Sequence, residues 1–270
     1  MEIVELFKDS LIYPTKEWDK LLIFGAIIVI LSIVNILETF GILSAQSVQS
    51  GVSILAIISF ILLFVLTLLI YGYTLSITRK TIDNTEEDIP AFDFLNNIID
   101  GVKVLILNIV YYIIPVIITA ILGLVTGAFA YIYQMVPYYI MYGSSAASAM
   151  PQELLASAGI SFLAVLLIGG ILFLIFGVLL IAAKEVLAET ESLVAAINMI
   201  DVFKKIGEIG WGNYIIWFIV WVLLLFVISF IAGIITIIPF IGLIIVSLVF
   251  KPYMEMLSAR ALGLIYNESK

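Results

Sequence analysis

The chain has 270 residues, 64% of them hydrophobic and 12% charged, with 20 acidic against 12 basic side chains and neither cysteine nor histidine. That excludes disulfides, thiolate nucleophiles, Cys/His zinc sites, a haem axial histidine and imidazole acid–base chemistry. A net charge of −8 with no basic run also argues against nucleic acid as a partner.

A soluble globular chain is nearer half apolar and about a quarter charged. The surplus apolar surface has to face lipid, so the lipid bilayer is the expected partner. Lipid admits only helices or closed barrels, because backbone groups find no water there. The apolar runs are continuous rather than alternating, so the expected fold class is all-α, a polytopic integral membrane protein.

Residues 1–13 put Val4, Phe7 and Leu11 on one helical face, and Pro14 ends or kinks that helix. Glu2, Glu5, Asp9, Glu17 and Asp19 make this stretch unlike a basic leader, so the first span is expected to stay as an uncleaved anchor. Trp18 and Lys20 suit an interface. Span one is expected over about Leu21–Leu43, with Asn35 inside and Glu38 near its far end. A polar connection, Ala45–Gly51, leads to span two, about Val52–Tyr73, closed by Arg79 and Lys80. The acidic stretch Asp83, Glu86, Glu87, Asp88 and Pro90 lacks calcium-loop spacing and its glycine, and reads as a solvated loop.

The stretch Phe92–Leu122 supplies the repeating unit. Phe92, Leu95, Ile98, Ile99 and Val102 share one helical face, with Asp93, Asn96, Asn97, Asp100 and Lys103 opposite. Such a segment lies along a membrane surface. After Gly101 and Lys103 the polar face disappears and span three begins near Val104, with Pro115 as an expected kink. Phe129–Tyr142 is rich in tyrosine and reads as interfacial or re-entrant, broken by Pro137. Gly143–Met150 is expected to be the loosest tract, and Pro151 with Glu153 marks a helix start. Span four, about Gly159–Ala183, carries Gly159, Gly169, Gly170 and Gly177 and ends at Lys184 and Glu185.

The third unit, Ile197–Trp211, sets Met199, Val202, Phe203, Ile206 and Ile209 against Asn198, Asp201, Lys204, Lys205 and Glu208. Gly210-Trp211-Gly212 turns it into span five, about Tyr214–Ile235; Pro239 and Gly242 turn the chain into span six. Amphipathic interfacial helices therefore precede spans one, three and five, and the units are approximately 1–80, 91–189 and 194–266 of a single membrane domain. Each holds an even number of spans, so they would be parallel repeats, with a pseudo-threefold bundle as the expectation. All 12 basic residues fall on one side of a six-span chain, which places both termini in the cytoplasm of a cell-membrane protein.

Charged side chains inside spans are functional candidates. If span six starts near Pro239, Lys251 lies about twelve residues, or about 18 Å, into the bilayer, and Glu255 one turn on makes an i, i+4 pair. If the hairpin turns earlier, at Ala232-Gly233, Lys251 snorkels at the interface. Arg79 and Arg260 end spans two and six, where they anchor on the positive side or grip an anionic headgroup. Asn35 and Asn108 suit hydrogen bonds between helices. No catalytic motif, metal ligand set or cofactor is expected, and neither a soluble partner nor an oligomeric state is legible.

The stretches TEEDIPAFDF, IDGVKVLILNIVYYIIP, IGWGNY, IPFIG and SARALGLIYN together resemble the uncharacterised archaeal membrane family known as domain of unknown function 4013. The resemblance implies a prokaryotic multi-span membrane protein and supplies no substrate, cofactor or catalytic residue. Three functions compete: a small-solute or ion transporter using Lys251 and Glu255, a structural or lipid-organising membrane protein, and, ranked last, a membrane enzyme on lipid.

Overall fold

A computed structural model of the protein describes residues 2–39, 54–83, 88–238 and 240–268, with side chains at 35–39 and 54–56 left aside. The polar connection 45–51, the carboxylates Glu86 and Glu87, the side chain of Asn35 and the turn residue Pro239 lie outside the described residues. Everything described is helix, turn or short linker, with no strand among the described residues.

In chain order, α1 spans Ile3–Ile12, α2 Trp18–Thr39, α3 Ile54–Asp83, α4 Phe94–Val125, α5 Ala128–Tyr142 and α6 Ala146–Ala149. Then come α7 (Gln152–Thr190), α8 (Leu193–Ile197), α9 (Met199–Ile209), α10 (Trp211–Ile235), α11 (Ile241–Ile245) and α12 (Lys251–Asn267). A π-helical turn over Val246–Phe250 joins α11 to α12. Five helices are long and apolar enough to cross a membrane: α3, α4, α7, α10 and the continuous segment Ile241–Asn267. Their apolar windows bury little of themselves, from 6% in α10 to 33% in α3. A helix that is apolar on every side and bare of protein finds its solvent in lipid tails.

The second and third stretches expected to hold a surface helix and then a span differ in structure. In the third unit, α9 and α10 are separate elements, because Gly210 adopts φ 92°, which breaks the helix. In the second unit there is no break: the expected surface helix and span three are one helix, α4, of 32 residues. Gly101 stays helical there and serves close packing instead, as described below. Three further expectations change. Pro137 sits inside an unbroken α5, as Pro115 does inside α4. The tract 143–150 is a 3₁₀ turn followed by α6. Lys184 and Glu185 do not end a helix, since α7 runs on to Thr190, and its 39 residues amount to about 58 Å.

The chain divides into two compact units, residues 1–107 with 181–270, and residues 108–180, the divisions falling within α4 and α7. In the smaller unit, Thr119 approaches Gly169 at 3.0 Å from the position of a Cβ, Tyr112 meets Phe173 at 6.0 Å between ring centroids, and Ser161 donates to the Thr126 carbonyl at 2.9 Å. The small residues of α7 therefore let α4 approach. Along α5, Tyr133, Ile140 and Met141 stay exposed.

In the larger unit the core gathers Tyr13, Phe24, Ile28, Tyr73, Ile77, Ile89 and Met256. Tyr73 packs edge-on to Phe24 at 4.9 Å and against Phe92 at 4.6 Å, while its hydroxyl donates to the Pro90 carbonyl. Burial pushes the Tyr13 phenol above its usual range, although the neighbouring Arg260 guanidinium acts the other way. Helix α12 packs most extensively on α3. Pro252 has no N–H to return to the Leu248 carbonyl, which accounts for the π turn. That carbonyl lies against Gly25 of α2, where a Cβ would stand 2.0 Å from the oxygen.

The stretch before α4 is tied down by Glu17, which pairs with Lys20 at 2.6 Å and accepts from the Ile89 amide at 2.9 Å; Lys20 in turn donates to the Ile89 carbonyl. The Lys20 hydrogen bond holds the Glu17 carboxyl below its usual range. A carboxyl depressed on folding stabilises above its unfolded value of 4.5 and loses that contribution as pH falls through the folded one. Exchange protection of the Ile89 amide is therefore expected to be constant at neutral pH and to fall below pH about 4.5. Glu17→Gln should remove the pH dependence, at a stability loss of the order of 0.5 kcal/mol typical of partly exposed pairs. Unchanged protection at acid pH would contradict the tie.

Candidate functional site

The expected i, i+4 pair of Lys251 and Glu255 does not form. Helix α10 runs to Ile235 and α11 begins at Ile241, with Phe240 at φ 60°, so Ala232 and Gly233 remain inside α10. Lys251 directs its ammonium to Ser32 Oγ at 3.2 Å, and Ser247 donates to the same oxygen at 3.0 Å. The Ser32 hydroxyl of α2 accepts from both, which draws Lys251 away from its own helix neighbour. Glu255 is left with no hydrogen bond or ion pair among the described residues.

Glu255 lines a cavity of about 480 Å³ within the larger unit. Its walls come from four helices and one residue of α4. Tyr71, Thr74, Leu75 and Thr78 belong to α3, Lys184 to α7, Trp217, Trp221 and Ser229 to α10, and Met254, Glu255 and Ser258 to α12, with Val104 from α4. Glu255 and Met254 also line a second cavity of about 320 Å³ that Lys251 borders. The Glu255 side chain is solvent-accessible although protein surrounds it, because its accessible surface faces these cavities.

Lys184 is the opposite charge. It comes from a different helix, interacts electrostatically with Glu255, and has no direct ion pair with it. It too has no hydrogen bond among the described residues. The aromatic wall has an internal order. Trp217 and Trp221, four residues apart on one face of α10, stack at 6.0 Å with planes within 7°. The Trp221 indole N–H is used, donating to Ser258 Oγ at 3.1 Å. The Trp217 side chain is 1% exposed and its indole N–H has no acceptor among the described residues. The residue after Lys184, Glu185, is fully buried, and neither of its carboxyl oxygens accepts a hydrogen bond among the described residues.

The two arginines singled out by their positions at span ends have internal partners. Arg79 Nη1 donates to Asp100 Oδ2 at 2.8 Å, and its Nε lies 3.4 Å from Glu191; Lys103 reaches the other Asp100 oxygen at 3.0 Å. Arg260 is 2% exposed, bonds Asp9 Oδ1 at 2.7 Å through Nε, and lies over the Tyr13 ring at 4.8 Å. Among the described residues, no three acidic side chains gather as metal ligands would.

Sequence reasoning reached Glu255 and missed Lys184 and the two tryptophans. The tryptophans carried a readable signal, their i, i+4 spacing. Lys184 carried a weaker one: the helical sequence continues past it through Val186, Leu187 and Ala188, all buried in the structure. No curated protein and no solved structure matches the chain. A family model does, over residues 54–237, which covers α3 to α10 and more than half of the sequence. The chain belongs to the family described as Protein of unknown function (DUF4013).

Proposed function

We propose that this is a six-span membrane protein of the cell membrane that binds a small polar solute in the cavity between Lys184 and Glu255 and passes it through the bundle. One observation carries the reading. Two opposite charges, neither paired among the described residues, line one cavity among helices apolar enough to cross a bilayer. Charges at membrane depth are expensive and are kept where they serve a pathway or a ligand. A cavity of about 480 Å³ falls within the range of small-molecule sites. Glu255, on both cavities, would be the point through which they communicate.

In this reading α2 is the first span, and α1 and α9 lie at the membrane surface. The placement of α9 rests on its buried stripe, Val202, Ile206 and Ile209. The aromatic, exposed α5 suits the headgroup level. The basic residues place both termini in the cytoplasm, and the three units of approximately 1–80, 91–189 and 194–266 are parallel repeats. Arg79 and Arg260 hold helices together through Asp100 and Asp9.

The absence of native cysteine makes the test direct. Single cysteines at Lys251, Glu255 and Ser258 in membrane-embedded protein are expected to react with a water-soluble thiol reagent, while one at the buried Val246 stays silent. Protection at Glu255 and Ser258 in folded protein would mean a dry bundle, and a structural role would replace solute binding.

A further inference from the structure

We propose that the ligand of the Lys184–Glu255 cavity is a zwitterion, a molecule or headgroup that carries an ammonium and an anionic group on one small frame. The inference rests on the solute-binding reading above and names its ligand class.

The cavity leaves two charges unsatisfied among the described residues. Lys184 and Glu255 come from α7 and α12, line the same space, interact electrostatically, and form no ion pair with each other. Neither has a hydrogen-bond partner among the described residues. A simple cation drawn to Glu255 would be repelled by Lys184, and a simple anion drawn to Lys184 would be repelled by Glu255. A neutral polar solute would leave both charges uncompensated in an apolar-walled space. A zwitterion meets both at once and adds no net charge.

Two further features agree. The Trp217 indole is almost wholly buried beside the cavity and its N–H has no acceptor among the described residues, so a small shift of the ring would offer a donor to the anionic end. The Trp221 ring, whose own N–H is taken by Ser258, presents an aromatic face suited to an ammonium. Leu75 and Val104 supply apolar wall, which suits a zwitterion with an apolar substituent. Lys251 does not compete for this role, because its ammonium already bonds Ser32. The same chemistry has two sources: a free apolar amino acid, or the headgroup of a phosphatidylethanolamine.

The test uses the full chain in phosphatidylglycerol nanodiscs. The probes are L-leucine, L-leucinamide as the cation alone, N-acetyl-L-leucine as the anion alone, and a short-chain phosphatidylethanolamine, with binding read by equilibrium dialysis and by the shift in unfolding temperature. Leucine or the phosphatidylethanolamine is expected to bind saturably, and each singly charged analogue to bind at least about tenfold more weakly, the loss of one charge-assisted contact. Binding of leucine assigns a free solute; binding of the phosphatidylethanolamine alone assigns a headgroup.

Lys184→Gln and Glu255→Gln are each expected to weaken zwitterion binding by about tenfold. Lys184→Gln should at the same time bind leucinamide better than the native protein does, and Glu255→Gln should do so for N-acetyl-leucine, since each removes a repulsion. Where a single variant does not fold, Lys184→Gln/Glu255→Gln, which removes both charges together, should fold and lose the zwitterion. Equal binding of leucine and leucinamide, or no binding of either zwitterion while a cysteine at Ser258 still reacts with aqueous reagent, overturns the inference and leaves a solute site standing. No reaction at Ser258 overturns both.

Discussion

Gly72→Ala is expected to separate α3 from α4 and to destabilise the protein by about 3 kcal/mol or more, the upper end of overpacking effects. A Cβ on Gly72 would stand 1.7 Å from the Asn97 carbonyl oxygen, and one on Gly101 would stand 2.0 Å from that of Leu68. The two contacts are reciprocal: Leu68 and Gly72 are one turn apart on α3, as Asn97 and Gly101 are on α4. Each helix therefore offers a glycine to the other's backbone, the close approach that small residues permit in lipid. The obstacle in both cases is a backbone oxygen, which no rotamer change can move aside, so the helix axes themselves must part. Gly101→Ala should behave alike, and the double variant should cost less than the sum, since the first substitution has already opened the crossing. Gly233→Ala on α10, where a Cβ meets nothing within 4 Å, is the matched control and should leave stability unchanged or slightly improved. Unfolding curves in a mild detergent would decide, and a Gly72→Ala protein as stable as the control would refute the crossing.

Asp9→Ala is expected to cost about 2–3 kcal/mol, because it takes a carboxylate from a buried guanidinium although Asp9 itself is partly exposed. Arg260 is 2% exposed, its Nε bonds Asp9 at 2.7 Å and its Nη1 reaches Thr81 Oγ1 at 3.5 Å, so its loss of hydration is offset in part by that carboxylate, the hydroxyl and the Tyr13 ring. Without Asp9 a buried guanidinium keeps its charge and loses its best acceptor. Arg260→Met/Asp9→Ala should recover much of the loss, because an apolar side chain of similar length restores packing without a charge to desolvate. The difference between the double variant and the summed singles measures the coupling. Additive losses would show that Asp9 and Arg260 act separately, and α1 would then owe its position to packing such as the 6.4 Å stack of Phe7 on Trp217.

The particular elements show where sequence reasoning holds and where it stops. The helical, lipid-facing class, the positions of α3, α7 and α10, and the family all follow from local features: long apolar runs, prolines, glycines and recognisable stretches. The articulation of surface helix and span did not follow from the glycine alone. Gly210 and Gly101 look alike in sequence, yet one turns the chain at φ 92° and the other stays helical because the α3 backbone is pressed against it. Glu255 was legible because a carboxylate in an apolar run is rare. Its expected partner was not, because i, i+4 spacing makes a pair available without making it the best one on offer: Ser32, in another helix, takes Lys251 instead.

By itself the sequence determined that this chain is helical with segments apolar enough to cross a membrane, because that conclusion sums over many residues and continuous apolar runs select helices over the closed barrels that lipid also admits. Only the tertiary structure decided which charges are neutralised and which are left facing a cavity. Asp9 and Arg260 pair across 251 positions of chain, and Lys184 and Glu255 line one space from separate helices. Such juxtapositions depend on how helices pack in three dimensions, where a glycine's missing Cβ matters as much as any charge, and no periodicity along the chain records them.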